Sequence, residues 1–145
     1  MVLSNPSIEK TRHNFITPLL HHFTSSSPHT FQTMKIYHNP RCSKSRQTLQ
    51  LIKDAGVEPE VIEYLTDVPS KAELKELVAM LGIKPYDLLR RGETDFKENF
   101  KGKDLSDDEW IAAMVKYPKL IERPIVVKQK KAVLGRPPEN VKTLL

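Results

Sequence analysis

Cys42 is the one cysteine in the chain, and its neighbours give it the setting of a nucleophile. Residues 35–38 have the composition of a short strand and residues 43–55 that of a helix, so we expect the thiol at a strand-to-helix junction. A helix N-terminus presents unpaired N–H groups and the positive end of the helix dipole. Positive charge is added by three nearby side chains, Arg41, Lys44 and Arg46. This setting favours a thiolate beside a bound anion, whereas a lone cysteine elsewhere is usually a small buried apolar residue.

Three arginines further along the chain lie at the ends of expected elements: Arg90, Arg123 and Arg136. Arg90 ends a short helix, Arg123 precedes a proline and a strand, and Arg136 follows a glycine and precedes two prolines. Guanidinium groups donate hydrogen bonds in a planar fork that matches oxyanions. If the three converge on the thiolate, they stabilise its charge and hold a tetrahedral oxyanion against it. Spacing alone leaves open the alternative of three surface arginines in salt bridges.

The composition sets the class of protein in which such a site would work. A chain of 145 residues with 39% hydrophobic and 28% charged residues is typical of one soluble globular domain. No apolar run approaches the ~18 residues of a membrane span. A single cysteine excludes an internal disulfide and a multi-cysteine zinc site, and it suits a reducing compartment, so we expect a cytoplasmic protein. The net charge of +5 without a long basic run favours small anionic substrates over nucleic acid.

Residues 1–33 differ from the remainder of the chain. Ten of them are serine or threonine, four of the five histidines lie there, and Glu9 is their only acidic residue. The segment lacks the apolar run and cleavage site of a secretory signal. The small number of acidic residues is typical of a transit peptide, but the segment has only two lysines or arginines, Lys10 and Arg12, and that class usually has more. We therefore predict a disordered N-terminal extension, or an artefact of the chosen start site, before an organised domain that begins at Met34.

Residues 34–145 have the element order βαβ, helices, ββα. Strand 60–65 follows the first helix, which ends at Gly56, and apolar residues at helical spacing follow two predicted capping boxes, Ser70–Glu73 and Ser106–Glu109. Residues 91–104 have the composition of a polar loop with irregular helix. Two strands, 125–128 and 132–134, should form a hairpin, and a final helix is expected over 137–144. This order predicts an α/β domain built around a small mixed sheet.

Several motifs of this domain resemble those of the glutaredoxin-coupled arsenate reductase (ArsC) family. The similarity runs through residues 36–42, 88–90, 122–127 and 135–139, in the order that the family has them. It implies a thioredoxin-like fold with an inserted helical block and a cis peptide bond before Pro124. It also implies that Cys42 is the nucleophile, that His38 tunes it, and that the oxyanion is bound by Arg90, Arg123 and Arg136.

The resemblance further implies a covalent mechanism. The Cys42 thiolate attacks arsenic and water leaves. Glutathione, a co-substrate, then adds to the arsenic, glutaredoxin removes the glutathione, and arsenite departs. No metal or bound organic cofactor is implied. A single cysteine agrees with this scheme, because the intermediate must then be resolved by an external thiol.

Two other classes are excluded by single positions, and two alternatives remain. Ser45 stands where a Cys-x-x-Cys oxidoreductase has its second cysteine, and Thr48 where phosphatase-like reductases have an arginine. The protein could still act on another oxyanion or on glutathione mixed disulfides. It could also be a non-catalytic stress regulator that binds RNA polymerase, although Ser45 and Arg136 argue against that class.

Overall fold

The computed structural model describes residues 33–145, whose centre is a four-stranded mixed sheet of order β2-β1-β3-β4. Strands β1 (Lys35–His38) and β2 (Glu60–Glu63) are parallel, whereas β1 pairs antiparallel with β3 (Ile125–Lys128), which continues through a hairpin into β4 (Lys131–Leu134). The α/β class with a small mixed sheet is therefore confirmed. The predicted extension lies outside the described residues, apart from residue 33.

The strands alternate their side chains between two apolar cores, one on each face of the sheet. Ile36 and its cross-strand partner Val126 are fully buried on one face, against helix α1 (Ser43–Asp54) and the 3-10 helix Pro138–Leu144. The opposite face packs against a helical block, which consists of α2 (Lys71–Leu81), α3 (Thr94–Asn99), α4 (Asp107–Lys116) and the 3-10 helices Pro85–Leu88 and Pro118–Leu120. Because side chains alternate along a strand, four-residue strands can serve both cores. The inserted helical block is thus present between β2 and β3.

The helix ends follow local signals, with one correction. Ser106 and Glu109 form the predicted capping box of α4. At α2, Ser70 Oγ accepts from the Glu73 N–H at 3.2 Å, but the Glu73 carboxylate accepts a hydrogen bond from the Tyr37 hydroxyl. The predicted box at Ser70 is therefore only half formed, because a tertiary partner takes the side chain that would complete it.

Three further boundaries differ from the prediction. Strand β2 ends at Glu63, since the N–H groups of residues 66 and 67 fold back onto the Glu63 carbonyl. The final helix is of the 3-10 type and begins at Pro138, because Pro137 has an extended ψ of 160°. Residues 91–104, expected as a polar loop with irregular helix, contain the regular six-residue helix α3. Within residues 33–145, no helix combines the length and the apolar character needed to cross a membrane.

Candidate functional site

Cys42 occupies the N-cap position of α1, directly after the loop that leaves β1. Its backbone is extended, with φ −92° and ψ 121°, and its N–H donates to the Asn39 carbonyl at 3.0 Å. The residue is 9% exposed, and the first turn of α1 contains no acidic side chain. The predicted junction is therefore present, and the positive end of the α1 dipole is not offset by a carboxylate in that turn.

The loop that carries Cys42 is held by a buried hydroxyl. Ser45 Oγ accepts from the Asn39 N–H at 3.0 Å and lies 2.7 Å from His38 Nδ1, and Ser45 and His38 are both buried. Across the outer side of the loop, Arg46 Nη1 donates to the Pro40 carbonyl at 2.8 Å. These bonds tie β1, the loop and α1 together, which limits how far the thiol can move.

His38 is the histidine predicted to tune Cys42, and its Nδ1 is paired with Ser45. Burial lowers the pKa of His38 from its usual value, the nearby Arg46 guanidinium lowers it further, and Glu63 opposes them. A neutral imidazole can accept a hydrogen bond from the Ser45 hydroxyl, while Ser45 Oγ itself accepts one from the Asn39 N–H. His38 therefore acts on Cys42 indirectly, by holding the loop that positions the thiol.

Arg136 reaches Cys42 because the segment around Gly135 packs unusually close to α1. A Cβ at Gly135 would lie 2.4 Å from Thr48 Oγ1 and 2.7 Å from Pro124 Cγ, and the Gly135 N–H donates to the Pro124 carbonyl at 2.9 Å. Arg136 then places Nη2 3.5 Å from Cys42 Sγ. The peptide bond before Pro124 is cis, as expected, and the bond between Arg136 and Pro137 is cis as well.

The segments that carry Arg90 and Arg123 lie side by side. An isolated antiparallel bridge joins Leu89 to Ile121. It is flanked by hydrogen bonds from the Arg90 N–H to the Leu120 carbonyl, 2.8 Å, and from the Glu122 N–H to the Leu88 carbonyl, 2.9 Å. This short pairing brings arginines that are 33 positions apart in the sequence to one edge of the molecule.

Two carboxylates, which the sequence analysis did not assign to the site, join the three arginines. Glu122 Oε1 lies 2.9 Å from Arg136 Nε and 3.6 Å from Arg90 Nε, and it accepts from the Arg123 N–H at 3.2 Å. Glu93 Oε1 pairs with Arg90 Nη1 and lies 3.8 Å from Arg123 Nη1. The only signals in the sequence are the adjacency of Glu122 to Arg123 and the three-residue spacing from Arg90 to Glu93.

Two polar atoms at the site are buried and unpaired among the described residues: Arg123 Nε and the Tyr64 hydroxyl. Burial raises the pKa of Tyr64, the charges of Cys42 and Glu122 add to that effect, and Arg90 and Asn39 oppose it. Asn39 is near the hydroxyl, but the pair does not meet hydrogen-bond geometry. Tyr64 was expected only as part of strand 60–65; the structure brings it beside the thiol and Arg90.

The predicted residues thus form one arrangement. Cys42 contacts Arg136 directly, Arg136 Nε donates to the Arg123 carbonyl, and Arg90 is linked to Arg136 through Glu122. Within residues 33–145, no group of histidine, cysteine and acidic side chains could hold a metal ion. A cavity of about 520 Å³ between α2 and the sheet is lined by neither Cys42 nor the arginines, so cavity size does not locate this site. The guanidinium groups can hold an oxyanion, and the thiol beside them can attack it.

Comparison with known proteins gives consistent matches over this domain. A sequence model described as the ArsC family matches residues 37–144, which include every site residue named above. The uncharacterized protein YfgD of Escherichia coli (strain K12) is 53% identical over 110 residues, covering 74% of this chain and 92% of YfgD. An arsenate reductase of Rhizobium meliloti (strain 1021) is 44% identical over 114 residues, covering 78% of this chain and 81% of that protein. The structure of an arsenate reductase from Vibrio cholerae is 49% identical, with a TM-score of 0.75 over 79% of this chain and 98% of that one.

Proposed function

The chain belongs to the ArsC family, and from that premise we propose that it is an arsenate reductase whose nucleophile is Cys42. The observation that carries the proposal is the 3.5 Å contact between Arg136 Nη2 and Cys42 Sγ, at the N-terminus of α1. The names of the Rhizobium and Vibrio relatives indicate the substrate. The site adds the chemistry that such a substrate needs, a thiol and three guanidinium groups.

The arginines bind the tetrahedral oxyanion in this proposal. Arg136 also stabilises the negative charge that the Cys42 sulfur carries when it attacks, because a guanidinium N–H points at that sulfur. Arg123 Nε is a buried donor that has no acceptor within residues 33–145, and an arsenate oxygen can accept from it. Arg90 completes the set from the adjacent segment.

His38 is assigned as a positioning residue. Its Nδ1 fixes Ser45, and Ser45 fixes the Asn39 N–H at the start of the loop that presents Cys42. Since burial lowers the pKa of His38, the ring stays neutral near pH 7 and adds no charge that would compete with the arginines.

The reaction begins with attack of the Cys42 thiolate on As(V). A sulfur–arsenic bond forms, and one arsenate oxygen, once protonated, leaves as water. Glutathione then adds its sulfur to the arsenic with loss of a second water. A glutaredoxin thiolate attacks the glutathione sulfur, and the electron pair of the broken sulfur–arsenic bond stays on arsenic, which becomes As(III). Hydrolysis of the bond to Cys42 releases arsenite and restores the thiol.

Glutathione and glutaredoxin are proposed as donors because Cys42 has no second cysteine in the chain with which to form a disulfide. A thiol from outside must then supply the reducing electrons. No metal or bound organic cofactor enters the scheme. The same requirement places the protein in a compartment such as the cytoplasm, where glutathione keeps thiols reduced.

The proposal is tested by following NADPH oxidation with arsenate, glutathione, glutaredoxin and glutathione reductase. We expect turnover that requires arsenate and glutaredoxin and that is lost in Cys42→Ser. NADPH oxidation with a glutathione mixed disulfide in place of arsenate, measured without glutaredoxin and dependent on this protein, would assign the protein that substrate. Equal rates for wild type and Cys42→Ser would contradict the proposal.

A further inference from the structure

Glu93 makes the contacts that an oxyanion would make. Its Oε1 pairs with Arg90 Nη1 and lies 3.8 Å from Arg123 Nη1, so one carboxylate oxygen spans guanidinium groups from two segments of the chain. Carboxylates and tetrahedral oxyanions accept from the same faces of a guanidinium. Glu93 and a substrate bound by Arg90 and Arg123 therefore compete for the same donors.

Glu122, although it is also bound to the arginines, differs from Glu93 in what anchors it. Its Oε1 accepts from the backbone N–H of Arg123 at 3.2 Å and forms an ion pair with Arg136, 2.9 Å from Nε. Nε is the inner nitrogen of a guanidinium, and a bond to it leaves the outer nitrogens available to a ligand. Glu122 thus orients the arginines, whereas the Glu93 side chain is held by outer guanidinium nitrogens of Arg90 and Arg123.

The position of Glu93 allows it to leave. It is the residue before the short helix α3, and it follows two exposed residues, Arg91 and Gly92. A Cβ at Gly92 would meet nothing within 4 Å, so this turn is not packed against the core. The next core residue is Phe96, so the carboxylate can rotate outward without disturbing the packing of α3.

The charges of the arginines and glutamates at the site are consistent with displacement of Glu93 by an oxyanion. Three guanidinium groups face two carboxylates at the site, so the two glutamates offset most of the positive charge of the arginines. Moving Glu93 outward frees positive charge beside Arg123 Nε, which is buried and has no partner within residues 33–145. An incoming oxyanion restores that balance and satisfies the donor.

We infer that Glu93 is a displaceable carboxylate which holds the Arg90 and Arg123 donors in place of an oxyanion and must leave when a tetrahedral oxyanion binds. It thereby sets the affinity of the site for oxyanions that need the Arg90 and Arg123 donors. This inference rests on the proposed function for the identity of the site, but its test does not require arsenate to be reduced.

The test measures how well sulfate protects Cys42 from alkylation. Sulfate is a tetrahedral dianion that thiols do not reduce. The rate of Cys42 alkylation by iodoacetamide, a neutral reagent, is followed against sulfate concentration at constant ionic strength. For Glu93→Gln we expect half-maximal protection at about twofold to fivefold lower sulfate than for wild type, the gain that loss of a partly exposed competing ion pair supports. Glu93→Ala should behave in the same way and serves if the glutamine variant folds poorly.

Two matched variants separate competition from other causes. Glu98→Gln removes a carboxylate from the exposed side of α3 and should leave the sulfate dependence as in wild type. Glu122→Gln should weaken protection, because it releases the arginines. Unchanged or weaker protection in both Glu93 variants, or no protection by sulfate in any protein, would overturn the inference. Tighter sulfate binding without arsenate turnover would instead leave the inference standing and contradict the proposed function.

Discussion

Arg136 Nη2 lies 3.5 Å from Cys42 Sγ, although 94 positions separate the two residues in the sequence. The cysteine is placed by the loop between β1 and α1, and the arginine by the end of β4. Its Nε is fixed by the Arg123 carbonyl at 2.8 Å and by Glu122 at 2.9 Å, so the guanidinium is aimed at the sulfur. Fixed orientation is what allows a half-exposed arginine to act on one particular atom.

Arg136→Ala should therefore slow both the reduction of arsenate and the alkylation of Cys42. Loss of a charged hydrogen-bond donor supports a decrease of about tenfold to a hundredfold in kcat/KM for arsenate, with slower iodoacetamide alkylation at pH 7. Arg91→Ala is the matched control, because Arg91 is an exposed arginine that packs over the Tyr86 ring, 5.1 Å from its centroid. Equal alkylation rates for Arg136→Ala and wild type would show that Arg136 does not act on the sulfur.

Gly135→Ala should destabilise the protein. The added Cβ would meet Thr48 Oγ1 at 2.4 Å and Pro124 Cγ at 2.7 Å, so the β4 exit must move away from α1. Overpacking of this kind costs about 1–3 kcal/mol of unfolding free energy, which urea denaturation can measure. Gly92→Ala, where a Cβ meets nothing within 4 Å, should leave stability nearly unchanged. Equal midpoints for the two variants would contradict the close packing.

Ser45→Ala should cost about 1–3 kcal/mol of stability, because it leaves His38 Nδ1 and the Asn39 N–H buried without their partner. Ser43→Ala, two residues earlier in α1 and exposed, removes the same hydroxyl chemistry without that loss. Urea denaturation of the two variants makes the comparison. A stability loss confined to Ser43→Ala, or shared equally, would show that the hydroxyl network does not hold the loop.

His38 should make stability fall in mildly acidic solution. Its pKa is lowered in the folded state, so below the usual value of 6.5 the unfolded chain binds a proton that the folded one does not. The free energy of unfolding then decreases as pH falls, by at most about 1.4 kcal/mol per pH unit from this group. His38→Asn, whose amide can still reach Ser45, should lack that part of the decrease between pH 6.5 and 5. Identical pH profiles for the two proteins would contradict the assignment.

The sequence predicted those parts of the fold whose causes are local. Residues 43–54 form a helix that ends before Gly56, whose φ of +80° a glycine adopts without strain, and the Ser106 capping box forms as its four-residue pattern indicates. The half-formed box at Ser70 failed for a tertiary reason, since Tyr37 on β1 takes the Glu73 carboxylate. Local patterns give an element, but a partner that is distant in sequence can take its side chains.

The candidate site divides in the same way. The junction around Cys42 is contiguous in sequence, and it was predicted with its position at the start of α1. The convergence of the arginines depends on the Leu89–Ile121 bridge and on the packing of Gly135 against Thr48. Glu93 and Glu122 could not be assigned in advance, because an acidic residue near an arginine is common in any chain and only the fold shows which arginines it spans.

Measuring the arsenite itself shows whether Cys42 reduces arsenate with external thiols. Arsenate is incubated with the protein, glutathione and glutaredoxin, and the arsenic species are separated and quantified. We predict arsenite that accumulates over many turnovers with wild type, at background level with Cys42→Ser, and at close to the wild-type rate with Arg91→Ala. Arsenite at background level with folded wild-type protein, or equal amounts with Cys42→Ser, would show that Cys42 does not reduce arsenate.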